Sequence, residues 1–225
     1  MRLKAIARAE RPDIVMGWMN NWNYAASIPT TPWRGGMALP RELSLVAEGM
    51  PVADTGERRL SLVQRPVREF EAVVAGAGGR LRPFDLEGRR PLTAAVHYRL
   101  DVEFEVGDAS HVGLDLLVGD GEVTTLDYDV AAGELSLDRT RSGDVDFDPL
   151  FASIETAPLS LDNGRLSIVV VVDRTSVEVF AQGGRVCLTD QVFAAAQSTM
   201  AVLTARGGIA RVTSCELVPI QAFAR

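Results

Sequence analysis

The 225-residue chain is short of most residues that announce a specialised chemistry. It has two cysteines, Cys187 and Cys215, and two histidines, His97 and His111. Both cysteines sit inside strand-like runs, which favours two buried free thiols over a disulfide. Neither histidine has a serine, a cysteine or a third ligand at a meaningful spacing, so both read as surface or strand residues and not as bases or metal ligands. Lys4 is the only lysine, and the formal net charge is −7. A chain of that charge with no basic patch is not built for nucleic acid or for an anionic membrane surface. The acidity is uneven: residues 1–90 carry 14 Arg/Lys against 10 Asp/Glu, and residues 91–225 carry 9 against 20.

Long apolar runs are missing too. The best of them, Ile168 to Val172, is cut by Asp173, far short of the ~20 residues a membrane helix needs. Arg2 and Lys4 are followed by no apolar stretch, so no signal peptide is expected, and a cytoplasmic location would follow if Met1 is the natural start. There is no low-complexity tract and no repeat of a solenoid or propeller period. Asp144-Val145-Asp146-Phe147-Asp148 alternates carboxylates as hard-cation sites do. It lacks the glycine and terminal glutamate of a calcium loop, however, and reads as solvated loop acids. No metal and no cofactor is expected.

What the chain does have is concentrated early. All three tryptophans, Trp18, Trp22 and Trp33, precede residue 34. The run Val15-Met16-Gly17-Trp18-Met19-Asn20-Asn21-Trp22-Asn23-Tyr24-Ala25 sets three large aromatic rings among three carboxamides. Flat apolar ring faces suit the C–H groups of a sugar, and carboxamides both donate to and accept from its hydroxyls. Around this run the pattern reads as a strand at Ile14 to Met19, a second at Gly36 to Leu39 and a third at Glu42 to Val46, with Pro40 at a bend. Residues 47–60 read as a hairpin tip and return strand. Pro66 to Phe84 is a connector with a short helix at Val67 to Val74 and the loose Ala75-Gly76-Ala77-Gly78-Gly79 run. A division near residue 65 gives two parts, residues 1–64 and residues 65–225.

Beyond residue 90 short β runs follow one another. Ala95 to Val106 puts Val96, Tyr98, Leu100, Val102, Phe104 and Val106 on one face and charged residues on the other, as a half-buried strand does. Val112 to Val118, Val123 to Val130, Leu135 to Asp138, Leu166 to Val172, Val177 to Phe180, Val186 to Val192, Met200 to Thr204 and Val212 to Val218 continue the series. Turn signals such as Gly119-Asp120-Gly121 and Asp162-Asn163-Gly164 punctuate it. The expected fold is all-β: an antiparallel, lectin-like β-sandwich preceded by a smaller β unit.

Residues 15–45 resemble the final propeller-blade segment of glycoside hydrolase family 32, the invertases, levanases and inulinases. Three later pieces are similar to that family's C-terminal sandwich and occur in its order: Asp138-Arg139-Thr140-Arg141-Ser142-Gly143, Asp173-Arg174-Thr175-Ser176-Val177-Glu178-Val179-Phe180 and Leu188-Thr189-Asp190-Gln191-Val192-Phe193. The resemblance implies that residues 1–64 are the last blade of a five-bladed β-propeller and that the activity is retaining hydrolysis of β-fructofuranosidic bonds in sucrose, inulin or levan. Retention needs two carboxylates ~5–5.5 Å apart. The family's nucleophile motif reads Trp-Met-Asn-Asp-Pro, whereas here Trp18-Met19-Asn20 runs into Asn21-Trp22. Arg11-Pro12-Asp13, Asp148-Pro149 and Cys215-Glu216 echo the remaining motifs in the wrong order or context, so no catalytic residue is assigned and the chain alone is expected to be inactive.

By resemblance, Trp22 matches a tryptophan that walls the sugar pocket, with Asn20 and Asn21 beside it as substrate-binding candidates. Trp18, on the opposite parity from Met19, reads as packing, and Trp33-Arg34 as a rim or a surface cover. Arg41 reads as an ion-pair contact to the sandwich. The expected partners are a fructoside or fructan, and a second copy or a separate chain that supplies further blades. The competing reading is a non-catalytic carbohydrate-binding or oligomerisation module.

Overall fold

A computed structural model describes residues 13–48, 59–74, 78–93 and 95–220. The expected hairpin tip therefore lies largely outside the described residues, as does the start of the glycine-rich connector. Two β units are present. The first is a three-stranded antiparallel sheet of β1 (Asp13–Val15), β2 (Arg41–Glu48) and β3 (Arg59–Pro66), in that spatial order. Helix α1 (Arg68–Val74) follows it directly, as the sequence predicts.

The second unit carries eleven strands: β4 (Gly79–Leu81), β5 (Phe84–Leu92), β6 (Tyr98–Glu105), β7 (His111–Val118), β8 (Val123–Asp129), β9 (Glu134–Arg141), β10 (Ile154–Pro158), β11 (Arg165–Asp173), β12 (Ser176–Ala181), β13 (Val186–Gln191) and β14 (Met200–Pro219). All pair antiparallel. The first half of β14 lies between β5 and β7, leading out through β8 and β9 to β10. Its second half lies against β6, leading through β11 and β12 to β13.

The corner between the halves is built at one place. The β5–β14 register slips between Ala205 and Ala210, where Gly88 and Gly207 take the left-handed backbone conformation that side chains resist. The folded sheet encloses one apolar core. Tyr98, Leu100, Val102 and Phe104 from β6 meet Leu114 and Leu116 from β7, Leu166, Ile168 and Val170 from β11, and Leu203 and Val212 from β14. Burial alternates strictly along β6, as its sequence pattern requires. Each such side chain contributes about 1.5–3 kcal/mol relative to exposure. The antiparallel β-sandwich expected from the sequence is present.

Several strand expectations change. Ile14 to Met19 is a strand only to Val15; beyond it Trp18 makes a single bridge to Met37, flanked by Met19 N–H to Gly36 O (2.9 Å) and Ala38 N–H to Gly17 O (2.8 Å). Gly36 to Leu39 is thus one side of that bridge and not a full strand, since Pro40 stops the ladder. Met200 to Thr204 and Val212 to Val218 are halves of one bent strand. Strands β4, β5 and β10 were not expected: β4 has three residues, and β5 and β10 are mostly exposed. On β5 only Leu86 is buried, because the strand is an edge that pairs with β14 alone.

Candidate functional site

The segment between β1 and β2 is fastened to the sandwich at three points. Tyr24 and Ile28 plug a small second core with Phe151, against which Val145, Phe147 and Phe193 pack. Val145 and Phe147 turn inward here, which explains the acid–apolar alternation at residues 144–148. Asp148 caps its own turn by accepting from the Leu150 N–H (2.9 Å).

Arg139, from the first sandwich motif, lies under this plug. Its guanidinium sits 4.4 Å from the Phe151 ring centre, donates to Tyr24 Oη (3.2 Å) and to Ser153 Oγ (2.9 Å), and faces Asp190 (3.4 Å). The third fastening is Glu178. One of its oxygens accepts the Leu39 N–H (2.8 Å) and the other accepts Arg41 Nη2 (2.7 Å), while Arg41 also reaches Thr189 and lies 5.0 Å over the Phe180 ring. The ion-pair role expected of Arg41 is the one it has. Along the same seam the Gln64 carbonyl of β3 lies so close to Gly184 that a Cβ there would overlap it.

These fastenings hold the tryptophan–asparagine run in a turn. Ala25 N–H donates to Asn21 O (2.8 Å) and Ser27 N–H to Tyr24 O (2.9 Å). Asn20 Oδ1 accepts the Asn21 N–H (2.8 Å), and Asn21 Oδ1 accepts the Asn23 N–H (3.0 Å). Each carboxamide oxygen accepts one backbone N–H; Asn21 is exposed, whereas the amide nitrogen of Asn20 is buried.

Trp22 stands at the tip of the turn, 87% exposed. Trp18 meets it at 5.0 Å between ring centres and 55° between planes, so two tilted indoles share one exposed patch. Gly35 keeps this arrangement open: a Cβ there would fall 2.7 Å from Trp18 Nε1 and 3.3 Å from Asn20 Nδ2. Arg34 does not lie along Trp33; it turns back to the Ile28 carbonyl, and Thr30 Oγ donates to Trp33 O (2.6 Å), which closes the loop on itself.

Beside the patch, between the β1–β3 sheet and the sandwich edge β13, lies a cleft of about 680 Å³. Trp18, Asn20, Asn21, Arg139, Asp190 and Gln191 are among its lining residues, and Trp22 is not. Asp190 was not singled out from the sequence as a site residue. Burial pushes its carboxyl up to about 6, against the lowering effect of Arg139. Asp13 is paired with Leu43 and Ile14 with Glu42, so Asp13 and Glu42 leave opposite faces of their sheet. Glu216 lies in β14, opposite Asp101 and Arg80. His97 lies against Asp173 (2.5 Å) and His111 against Asp127 (2.8 Å), at the surface of the sandwich. Cys187 and Cys215 are unpaired, and burial pushes both thiols up to about 11.

Comparison with known proteins gives two family matches. The profile described as "Glycosyl hydrolases family 32 C terminal" covers residues 75–219, and "Glycosyl hydrolases family 32 N-terminal domain" covers residues 4–66. A levanase of Bacillus subtilis is 34% identical over 92% of this chain and 30% of its own length. An extracellular exo-inulinase of Aspergillus awamori is 36% identical over 86% of this chain and 36% of its own. The crystal structure of an A. awamori exo-inulinase superposes with a TM-score of 0.81 at 32% identity, covering 94% of this chain and 41% of that one. A fructofuranosidase of Schwanniomyces occidentalis, at 17% identity and a TM-score of 0.78, shares the fold. Across such curated relatives the chain spans between 23% and 38% of their length.

Proposed function

The chain belongs to glycosyl hydrolase family 32, and from that premise we propose that it serves retaining hydrolysis of β-fructofuranosidic bonds as the C-terminal part of such an enzyme. The substrate is a fructoside of the sucrose, inulin or levan class. In this reading residues 1–64 are the last propeller blade, residues 65–225 the supporting sandwich, and Trp22, Asn20 and Asn21 one wall of the fructosyl pocket. Trp22 offers a ring face to the sugar's C–H side, the exposed carboxamide of Asn21 donates to its hydroxyl oxygens, and Asn20 holds the turn beneath them. The observation that carries this is the solvent-facing Trp18–Trp22 pair on a turn that the sandwich holds in place through Glu178 and Arg139.

The nucleophile and acid/base come from elsewhere in the enzyme, because retention needs two carboxylates ~5–5.5 Å apart and the family motifs that carry them are not matched here, Trp18-Met19-Asn20 running into Asn21. The β1–β3 sheet presents the surface that receives further blades. Leu43, Leu45, Leu60 and Leu62 fall on one face by register, and the last three are exposed. The test is fructose release from sucrose and inulin by the purified chain, alone and with a chain carrying upstream blades. The expected result is no release alone and release on complementation. Release by the chain alone would overturn the division of labour, and binding of inulin with no release under either condition would favour a non-catalytic binding module.

A further inference from the structure

Trp22 has little to lean on. It is 87% exposed, and Trp18, the ring it meets at 5.0 Å, is itself 41% exposed. The direction of its indole is therefore set by the backbone of its turn, which Ala25 N–H to Asn21 O and Ser27 N–H to Tyr24 O close. Two positions beyond Trp22, Tyr24 is the first side chain of that turn to be buried, and it serves as the peg of the turn. Phe151 and Phe147 stand nearly perpendicular to its ring, at 5.4 Å and 6.4 Å between centres. Apolar contact of this kind is non-directional, so it fixes the depth of the peg better than its heading.

The heading is fixed from the other side, by Arg139. Its backbone is tied in both directions: its N–H donates to Ser153 O (3.1 Å) and its carbonyl accepts the Ser142 N–H (3.2 Å). Each guanidinium nitrogen has its own partner. Nε donates to Ser153 Oγ, Nη2 donates to Tyr24 Oη, and Nη1 faces Asp190. Arg139 and Asp190 are both buried. A buried ion pair adds little stability over apolar side chains of the same volume, which would fill the space against Phe151 as well. What the guanidinium adds is a rigid planar fork whose donors leave at fixed angles. Glu178 fastens the far end of the segment, at Leu39 and Arg41; Arg139 reaches the turn itself.

We propose that Arg139 is a positioning residue for the fructosyl wall: by holding the Tyr24 hydroxyl from the sandwich, it sets the direction in which the turn presents Trp22. The proposal rests on the reading of Trp22 as part of that wall, and its test separates the two. Two indoles 5.0 Å apart and tilted by 55° couple in the far ultraviolet. Trp22→Phe, which leaves Trp18 alone, identifies their couplet in the circular-dichroism spectrum of the full chain. Tyr24→Phe removes one oxygen and keeps every ring, whereas Arg139→Lys keeps a cation opposite Asp190 but not the fork. Both are expected to abolish most of the couplet, Tyr24→Phe with cooperative thermal unfolding retained. Both should also weaken inulin binding, followed by tryptophan quenching, about tenfold. A wild-type couplet in a folded Tyr24→Phe chain overturns the positioning role, and so does a spectrum that Trp22→Phe leaves unchanged. Loss of the couplet with inulin bound as tightly as before overturns the fructosyl wall and leaves Arg139 as an anchor of Trp22 alone. A wild-type chain that binds no inulin also overturns the wall, and the couplet then decides whether Arg139 holds Trp22.

Discussion

The small sheet and the sandwich are written in the same code and meet different fates. In β6 alternate residues face inward, and Tyr98, Leu100, Val102 and Phe104 are all buried. In β2 and β3 the same alternation brings Leu43, Leu45, Leu60 and Leu62 onto one face, yet Leu45 is 66% exposed. Alternation specifies that a face is to be covered; it does not say by what. Within the sandwich the covering surface is another part of the same folded sheet. On the small sheet, one end of the face borders the cleft against β13 and the other faces outward. The opposite face is served within the chain, where Val63 is fully buried.

Four substitutions would break or sharpen this contrast. Phe104→Ala removes a fully buried ring from the single sandwich core and should cost about 3–5 kcal/mol, read by urea unfolding. A loss under 1 kcal/mol would mean that the core is not one cooperative unit. Glu178→Ala removes the acceptor shared by Leu39 and Arg41 and leaves a mostly buried guanidinium without its carboxylate. The cost should be about 3 kcal/mol, and it should appear first as protease cutting within residues 16–40, before the sandwich unfolds. Cutting at the wild-type rate would show that the seam does not depend on this pair.

The seam also has a pH signature. Because burial raises the Asp190 carboxyl to about 6, the folded chain keeps its proton at pH values where the unfolded chain has lost it. This group's contribution to stability is therefore full below about pH 4 and is lost as the pH rises through 6. Asp190→Asn should flatten that window in a series of thermal midpoints, and an unchanged slope would remove Asp190 as its source. The smallest effect belongs to Leu45→Ala, which should change stability by less than about 0.5 kcal/mol, because the side chain is already in water. If it instead shifted sedimentation toward a smaller species, the face would be an interface between copies.

The sequence carried more of the fold than of the site. Strands with one wet and one dry face, such as β6 and β8, announce themselves by parity, and Asp162-Asn163-Gly164 announces its turn. Strand β5 stayed hidden because an edge strand buries almost nothing. Strand β14 read as two because its corner at residues 205–210 breaks the alternation. Trp22, Asn20 and Asn21 stood out by composition, and the turn that presents Trp22 keeps them together. Asp190 and Gln191 stood out only as members of the Leu188–Phe193 piece that resembles the family's sandwich, and their burial against the seam is visible only in the fold.

By itself, then, the sequence determined the all-β class, the order of most strands and the aromatic–carboxamide run, since each depends on neighbours within a few positions along the chain. The tertiary structure decided where that run sits. Glu178 is 137 residues from Arg41, and Arg139 is 115 from Tyr24. Contacts at such separations follow from how the sheet turns its corner and which edge it brings to the small sheet. That is a property of the assembled strands and not of any one of them.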